Sequence, residues 1–189
     1  MLKIKFYFIA VGILCCLDLT AQNPLWSPRL SQKIYKTVTY ALGPKENIKL
    51  RPYNSDFLNP QKGFDEFWNN LSIVEHQDSI LGYAYVDQAK SMKKVFDYIV
   101  IFSSEFQIIK SKVLIYREKH GKQISSVRWL KQFNNLGYSS KPELGVTIDG
   151  VSGATISASS MTYAIRNLLE RVGLEINKGT IILNLPNAQ

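Results

Sequence analysis

The chain has 189 residues, 46% of them hydrophobic and 20% charged, with 12% aromatic. That balance excludes an intrinsically disordered chain and a collagen-like one, and it fits one globular domain with a short appendage. The formal charge of +8, from 23 basic and 15 acidic residues, is spread along the chain. A nucleic-acid-binding stripe would group its basic residues, so no nucleic-acid partner is expected.

The first residues do not read as part of the fold. Lys3 and Lys5 precede an apolar run from Phe6 to Leu17, and small residues follow at Thr20 and Ala21. A basic start, a short apolar core and a small-residue cut make a secretory signal. The run is shorter than the ~20 residues a membrane helix needs. Residues 1–21 are therefore expected to be removed, leaving an exported, periplasmic or otherwise extracytoplasmic chain with a charge of 21 − 14 = +7. Both cysteines, Cys15 and Cys16, fall inside this segment. The remainder could form no disulfide, thiolate metal site or iron–sulfur cluster.

Residues 22–80 read as an N-terminal extension of the domain. Arg29 to Leu42 is compatible with a helix or a strand, and Gly63 to Leu71 spaces Phe64, Phe67, Trp68 and Leu71 as a short helix would. The domain proper, residues 81–189, opens with sheet character. Leu81–Val86, Val95–Phe102 and Phe106–Tyr116 are rich in β-branched and aromatic residues, and Ser103-Ser104-Glu105 supplies a hairpin turn. Arg117 to Gln123 reads as a loop. Ser125 or Ser126 would cap a helix through Phe133, and Asn134 to Pro142 is a second loop.

The last third carries the sharpest pattern. Val146-Thr147-Ile148 suggests a short strand. Met161, Ala164, Ile165, Leu168, Leu169 and Val172 then form one apolar helical stripe over Ser157–Val172. Gly173 is placed to end that helix, and Thr180–Leu185 reads as a final strand. The expected class is α+β: a single domain with an antiparallel sheet and packed helices.

Between the expected strand and helix lies Asp149-Gly150-Val151-Ser152-Gly153-Ala154-Thr155. Two glycines allow close backbone approach, and hydroxyl residues stand where a helix start offers free N–H groups and favours an anion. A nucleotide P-loop is excluded, since no lysine follows the last glycine. A serine nucleophile elbow at Ser152 would need a histidine further along the chain. The two histidines, His76 and His120, both come earlier, and they lie too far apart in the chain to suggest a metal site.

The segment resembles the flavin-attachment motif D-x-x-[S/T]-G-A-[S/T] of the FMN-binding domain family. That family includes the C subunit of sodium-pumping NADH:quinone oxidoreductase and the G subunit of the Rnf complex. The similarity extends from about Leu81 to Leu169, through Gly82-Tyr83, Tyr116-Arg117-Glu118 and Trp129-Leu130-Lys131-Gln132-Phe133. The family's E-T-P-G-L-G loop is absent, and His120-Gly121-Lys122-Gln123-Ile124 stands in its place.

The resemblance implies FMN bound covalently through a phosphodiester to Thr155, with Asp149, Ser152, Gly153 and Ala154 completing the site. It also implies an FAD-dependent, Mg²⁺-using FMN transferase for maturation, a membrane or extracytoplasmic redox partner, and work as an electron carrier rather than a complete enzyme. Asp149 would orient the acceptor or contact the transferase; as a plain helix or turn cap it would do neither. Tyr83, Tyr85, Tyr116 and Trp129 are candidates to stack on the flavin ring, with Glu118 and His120 as polar contacts. The competing reading is a module or scaffold that lacks covalent flavin and does no redox work.

Overall fold

In the computed structural model, the described residues are 26–43, 47–53 and 66–183. The signal expected at residues 1–21 lies outside them. The segment left open between helix and strand is a helix, α1 (Pro28–Leu42). Ser27 caps it, with its Oγ accepting from the Leu30 N–H at 3.4 Å, and Pro28 fills the first helical position, where no N–H is needed.

Five strands follow: β1 (Lys49–Pro52), β2 (Leu71–His76), β3 (Ser79–Lys90), β4 (Val95–Phe102) and β5 (Ile108–Ile115). They pair antiparallel in chain order, a simple meander. The longest regular register is β3 on β4, from Tyr83 opposite Phe102 to Lys90 opposite Val95. The sequence reading does not isolate β1 or β2, although both fall within residues 22–80 and complete the sheet. A five-residue helix, α2 (Glu66–Asn70), runs straight into β2 and buries Phe67 and Trp68.

The composition of β4 shows how the layers are arranged. Val-Phe-Asp-Tyr-Ile-Val-Ile-Phe has no polar face to give to water, because both faces are covered. Phe96, Tyr98, Val100 and Phe102 belong to the cluster that packs on the long C-terminal helix α4 (Thr155–Asn177). Ile99 and Ile101 belong to the opposite cluster, with Ile34 and Val38 of α1. The sheet is thus sandwiched between α1 and α4. Each fully buried aliphatic or aromatic side chain in these layers contributes about 1.5–3 kcal/mol relative to exposure.

Three expectations for the last third are corrected. Val146–Ile148 is a turn, with an isolated bridge between Leu144 and Ile148. The Glu143 carbonyl accepts from the N–H groups of Val146, Thr147 and Ile148 at 2.9–3.2 Å, which curls the segment on itself. Residues 180–183 form no strand, and the rest of Thr180–Leu185 lies outside the described residues. The helix does not stop at Gly173. It continues to Asn177, since Gly173 keeps a negative, helical φ and lies buried at ordinary contact distance from Tyr138. The break falls instead at Gly179, whose φ of +70° suits only a residue at ease in the left-handed region. The helix begins at Thr155, two residues before the expected start.

Candidate functional site

The Asp149–Thr155 segment is fastened to the body of the domain on three sides. Ser126 caps α3 (Val127–Leu130), its Oγ accepting from Trp129 N–H at 3.3 Å. This short helix and the turn after it, Lys131–Phe133, bury Trp129, Leu130 and Phe133. The buried Trp129 indole donates its Nε1–H to the Asp149 carbonyl at 2.7 Å. The Asp149 N–H donates to Gln132 Oε1 at 2.8 Å. Asp149 is therefore held by its backbone from both directions, and its side chain is exposed.

The second attachment is at Gly153, with φ of +73°. The Gln123 amide lies so near that an added Cβ would stand 3.2 Å from its Nε2. A hydrogen bond from Ala154 N–H to the Val151 carbonyl, 3.1 Å, closes the turn just before the helix.

The third attachment is Ser157 in the first turn of α4. Its hydroxyl is buried and lies 2.9 Å from the Tyr116 hydroxyl. Tyr116 is itself placed by its neighbour. Arg117 donates to buried Asp97 Oδ2 at 2.6 Å and to the Val95 carbonyl at 3.1 Å. Asp97 also accepts from Gln88 at 2.7 Å. The chain leaving β5 is thus clamped to β4, and the clamp carries through Tyr116 to the helix start. Gly121, with φ of +84°, packs its backbone against the same Tyr116 hydroxyl and Ser157 Oγ, leaving no room for a side chain.

What these attachments present is the open N-terminus of a 23-residue helix. Its cap position is Ala154, which has no side-chain acceptor, and no acidic residue stands in the first turn. The first N–H groups of a helix have no partner within the helix, and the helix dipole makes this end electropositive. Thr155 is the first helical residue and is exposed, as are Ser152 and Gly153. An exposed hydroxyl beside uncapped N–H groups suits a phosphate ester.

The other sequence candidates divide into two groups. Tyr116 and Trp129 are joined to the motif as described. Tyr83 is buried and stacked on Phe106, with centroids 4.1 Å apart. Burial pushes its pKa up to about 12. Tyr85 is also buried, and its hydroxyl donates to Asp87 Oδ2 at 3.0 Å. Burial and the Asp87 charge raise its pKa. Tyr85 lines a cleft of about 510 Å³ between β3 and one flank of α4, together with Asp87, Tyr163, Asn167 and Arg171. Thr155 does not line that cleft.

Glu118 turns away from the motif. Its carboxylate accepts from Ser91 Oγ and from the N–H groups of Lys93 and Lys94 at 2.8 and 2.9 Å, which ties down the β3–β4 turn. Those bonds, the Ser91 one first, lower its pKa. His120 is exposed in the loop before Gly121. The residues that sequence reasoning missed are Gln123, Gln132 and Ser157. The only signal for them was position: two amides in the segments flanking Trp129, and a serine one turn into an apolar helix.

A meander sheet faced by one long helix, whose uncapped start carries a hydroxyl in a glycine-bearing turn, is an arrangement suited to a phosphate-bearing ligand. The chain belongs to the FMN-binding domain family, which it matches over residues 71–170. FMN is accordingly its cofactor. No curated protein matches the chain. The matched range begins at β2 and ends within α4, so it contains the whole motif and all three attachments.

Proposed function

We propose that this protein is an exported electron-transfer flavoprotein whose FMN is joined through a phosphodiester to Thr155 Oγ1. One observation carries the reading: Thr155 combines the acceptor position of the D-x-x-S-G-A-T pattern with an exposed hydroxyl on the first residue of an uncapped helix. The single negative charge kept by the diester gains about 0.3–1 kcal/mol from that helix end. The covalent bond does more, since it keeps the cofactor on a chain working where FMN is not resupplied.

The residues present fit this group. Gly153 keeps the approach to Thr155 free of side chains, and Ala154 leaves the first N–H groups to the phosphate. Asp149, its backbone pinned by Trp129 and Gln132, holds an exposed carboxylate near the acceptor, where it would meet the transferase or its metal. Bound flavin supplies one- and two-electron redox chemistry, and the protein positions it and sets its potential. The partner would be a membrane-bound or extracytoplasmic electron donor or acceptor, and maturation would require an FMN transferase that uses FAD.

The test is the intact mass of the protein produced with a flavin transferase and FAD, beside a Thr155→Ala variant. The expected result is a gain of one FMN less one water in the wild type and none in the variant. Chemical reductants should then bleach the bound flavin. An unmodified wild type, with the transferase shown active on another acceptor, would refute covalent attachment. Only a module that holds flavin non-covalently, or a scaffold, would then remain.

A further inference from the structure

The surface formed by α1 and the edge strand β5 carries a concentration of positive charge that the flavin site does not use. Arg29, Lys33, Lys36 and Tyr40 recur along α1 at steps of four, three and four residues, so they share one stripe of the helix. Lys110 and Lys112 alternate on β5, the strand against which α1 packs.

The two elements interleave their ammonium groups. Lys33 Nζ donates to the Leu114 carbonyl at 2.7 Å, and Lys112 Nζ lies 3.4 Å from Thr37 Oγ1. Lys110 Nζ stands over the Tyr40 ring, 4.4 Å from its centroid, while that ring is 77% exposed. Neither α1 nor β5 contains an aspartate or glutamate. Glu118, shortly after β5, spends its carboxylate on the β3–β4 turn. Burial and the neighbouring Lys110, Lys33 and Lys36 charges lower the Lys112 pKa, which is the signature of like charges held together.

From this geometry we infer that the α1–β5 face docks the protein on an anionic phospholipid surface. Two observations select a bilayer over other polyanions. The patch mixes lysines with a protruding tyrosine, the combination that settles at a headgroup layer. Its cations are spread over a helix and an edge strand, and none of them lines the cleft beside α4 that could enclose a small anion. The inference does not depend on how FMN is attached, because the patch lies on the sheet face opposite α4.

The test measures partition of the chain from residue 22 onward onto phosphatidylcholine vesicles and onto mixed phosphatidylglycerol–phosphatidylcholine vesicles, at low and high salt. A Lys36→Gln/Lys110→Gln/Lys112→Gln variant is compared with a charge-matched Lys90→Gln/Lys93→Gln/Lys141→Gln variant. The segment before α1 is common to all three proteins, so its own contribution cancels. A juxtamembrane lysine is worth roughly a fivefold change in partition, so the first variant should lose about tenfold to a hundredfold on anionic vesicles. That difference should shrink at high salt. Thermal unfolding of both variants checks that neither has lost the fold. Equal binding by wild type and the first variant would overturn the inference. So would an equal loss in the control variant, or a wild type that prefers soluble polyglutamate to anionic vesicles.

Discussion

Removing one oxygen atom from Tyr116 tests whether the start of the attachment helix is held by the loop that follows β5. The Tyr116 and Ser157 hydroxyls are 2.9 Å apart, and Ser157 is 3% exposed. In Tyr116→Phe the ring keeps its place beside Phe96, 5.7 Å between centroids, but the buried serine hydroxyl loses its partner. A buried group left unsatisfied costs about 1–3 kcal/mol. A serine in the first turn can turn back to the cap carbonyl three residues earlier, that of Ala154, so the lower end, about 1 kcal/mol, is expected. Ser157→Ala should cost about 0.5–1.5 kcal/mol, because the Tyr116 hydroxyl is only half-buried and water can replace its partner. The double variant leaves neither group stranded and should be no less stable than the worse single. The cycle then gives a coupling near 1 kcal/mol, and each single change lowers Tm by about 2–4 °C for a chain of this size. Denaturant titrations of the four proteins supply the free energies. Amide exchange at residues 155–158 reports whether the loosening is local. Additive single effects, with coupling below about 0.3 kcal/mol, would refute the claim that this bond fastens the helix start.

Other consequences can be checked in the same preparations. Gly153→Ala forces a side chain into φ of +73° and should cost about 1–2 kcal/mol. The flexible Gln123 can move aside, so the loss should appear in Tm and in a slower gain of flavin mass rather than in failure to fold. Glu118 has a lowered pKa in the folded chain, so its stabilising effect is complete above the unfolded value of about 4.3 and is lost as pH falls through the folded value. The Tm difference between wild type and Glu118→Gln should therefore close on acidification; a difference independent of pH would exclude the carboxylate as the cause. Tyr83, Tyr85 and Tyr98 all have raised pKa values, chiefly through burial. The stability they contribute is complete below about pH 10 and declines as pH rises toward their folded values. Ultraviolet titration should show these three ionising only with alkaline unfolding, and a smooth titration of every tyrosine in the folded protein would contradict their burial.

Much of this molecule was legible from local pattern. β3, β4 and β5 announce themselves by runs of β-branched and aromatic residues, and the serine pair at 125 and 126, of which Ser126 is the cap, and the stripe from Met161 to Val172 locate two helices. The motif from Asp149 to Thr155 identifies the family because its glycines and hydroxyls are fixed by local geometry, which sequence records directly. β1 and β2 were harder to see. Each is short, and β1 is an edge strand whose identity depends on pairing with β2, from Lys49 opposite Glu75 to Pro52 opposite Ser72.

Tertiary contact decided the rest. Gly173 reads as a helix end although the packed helix runs past it to Asn177, and Val146–Ile148 reads as a strand although the described residues give it just one isolated bridge, from Leu144 to Ile148. Tyr83 and Tyr85 have the chemistry of flavin contacts, as Tyr116 and Trp129 do, but only the folded chain separates the two pairs. Alternation along β3 sends the first pair into the layer under α4, whereas the clamp of Arg117 on Asp97 and the cap at Ser126 bring the second pair to the motif. A sequence specifies which groups can bind, cap or turn, because those properties belong to single residues and their near neighbours. Which groups meet depends on strand register, helix packing and loop closure, and these are fixed only when the whole chain has buried its apolar surface.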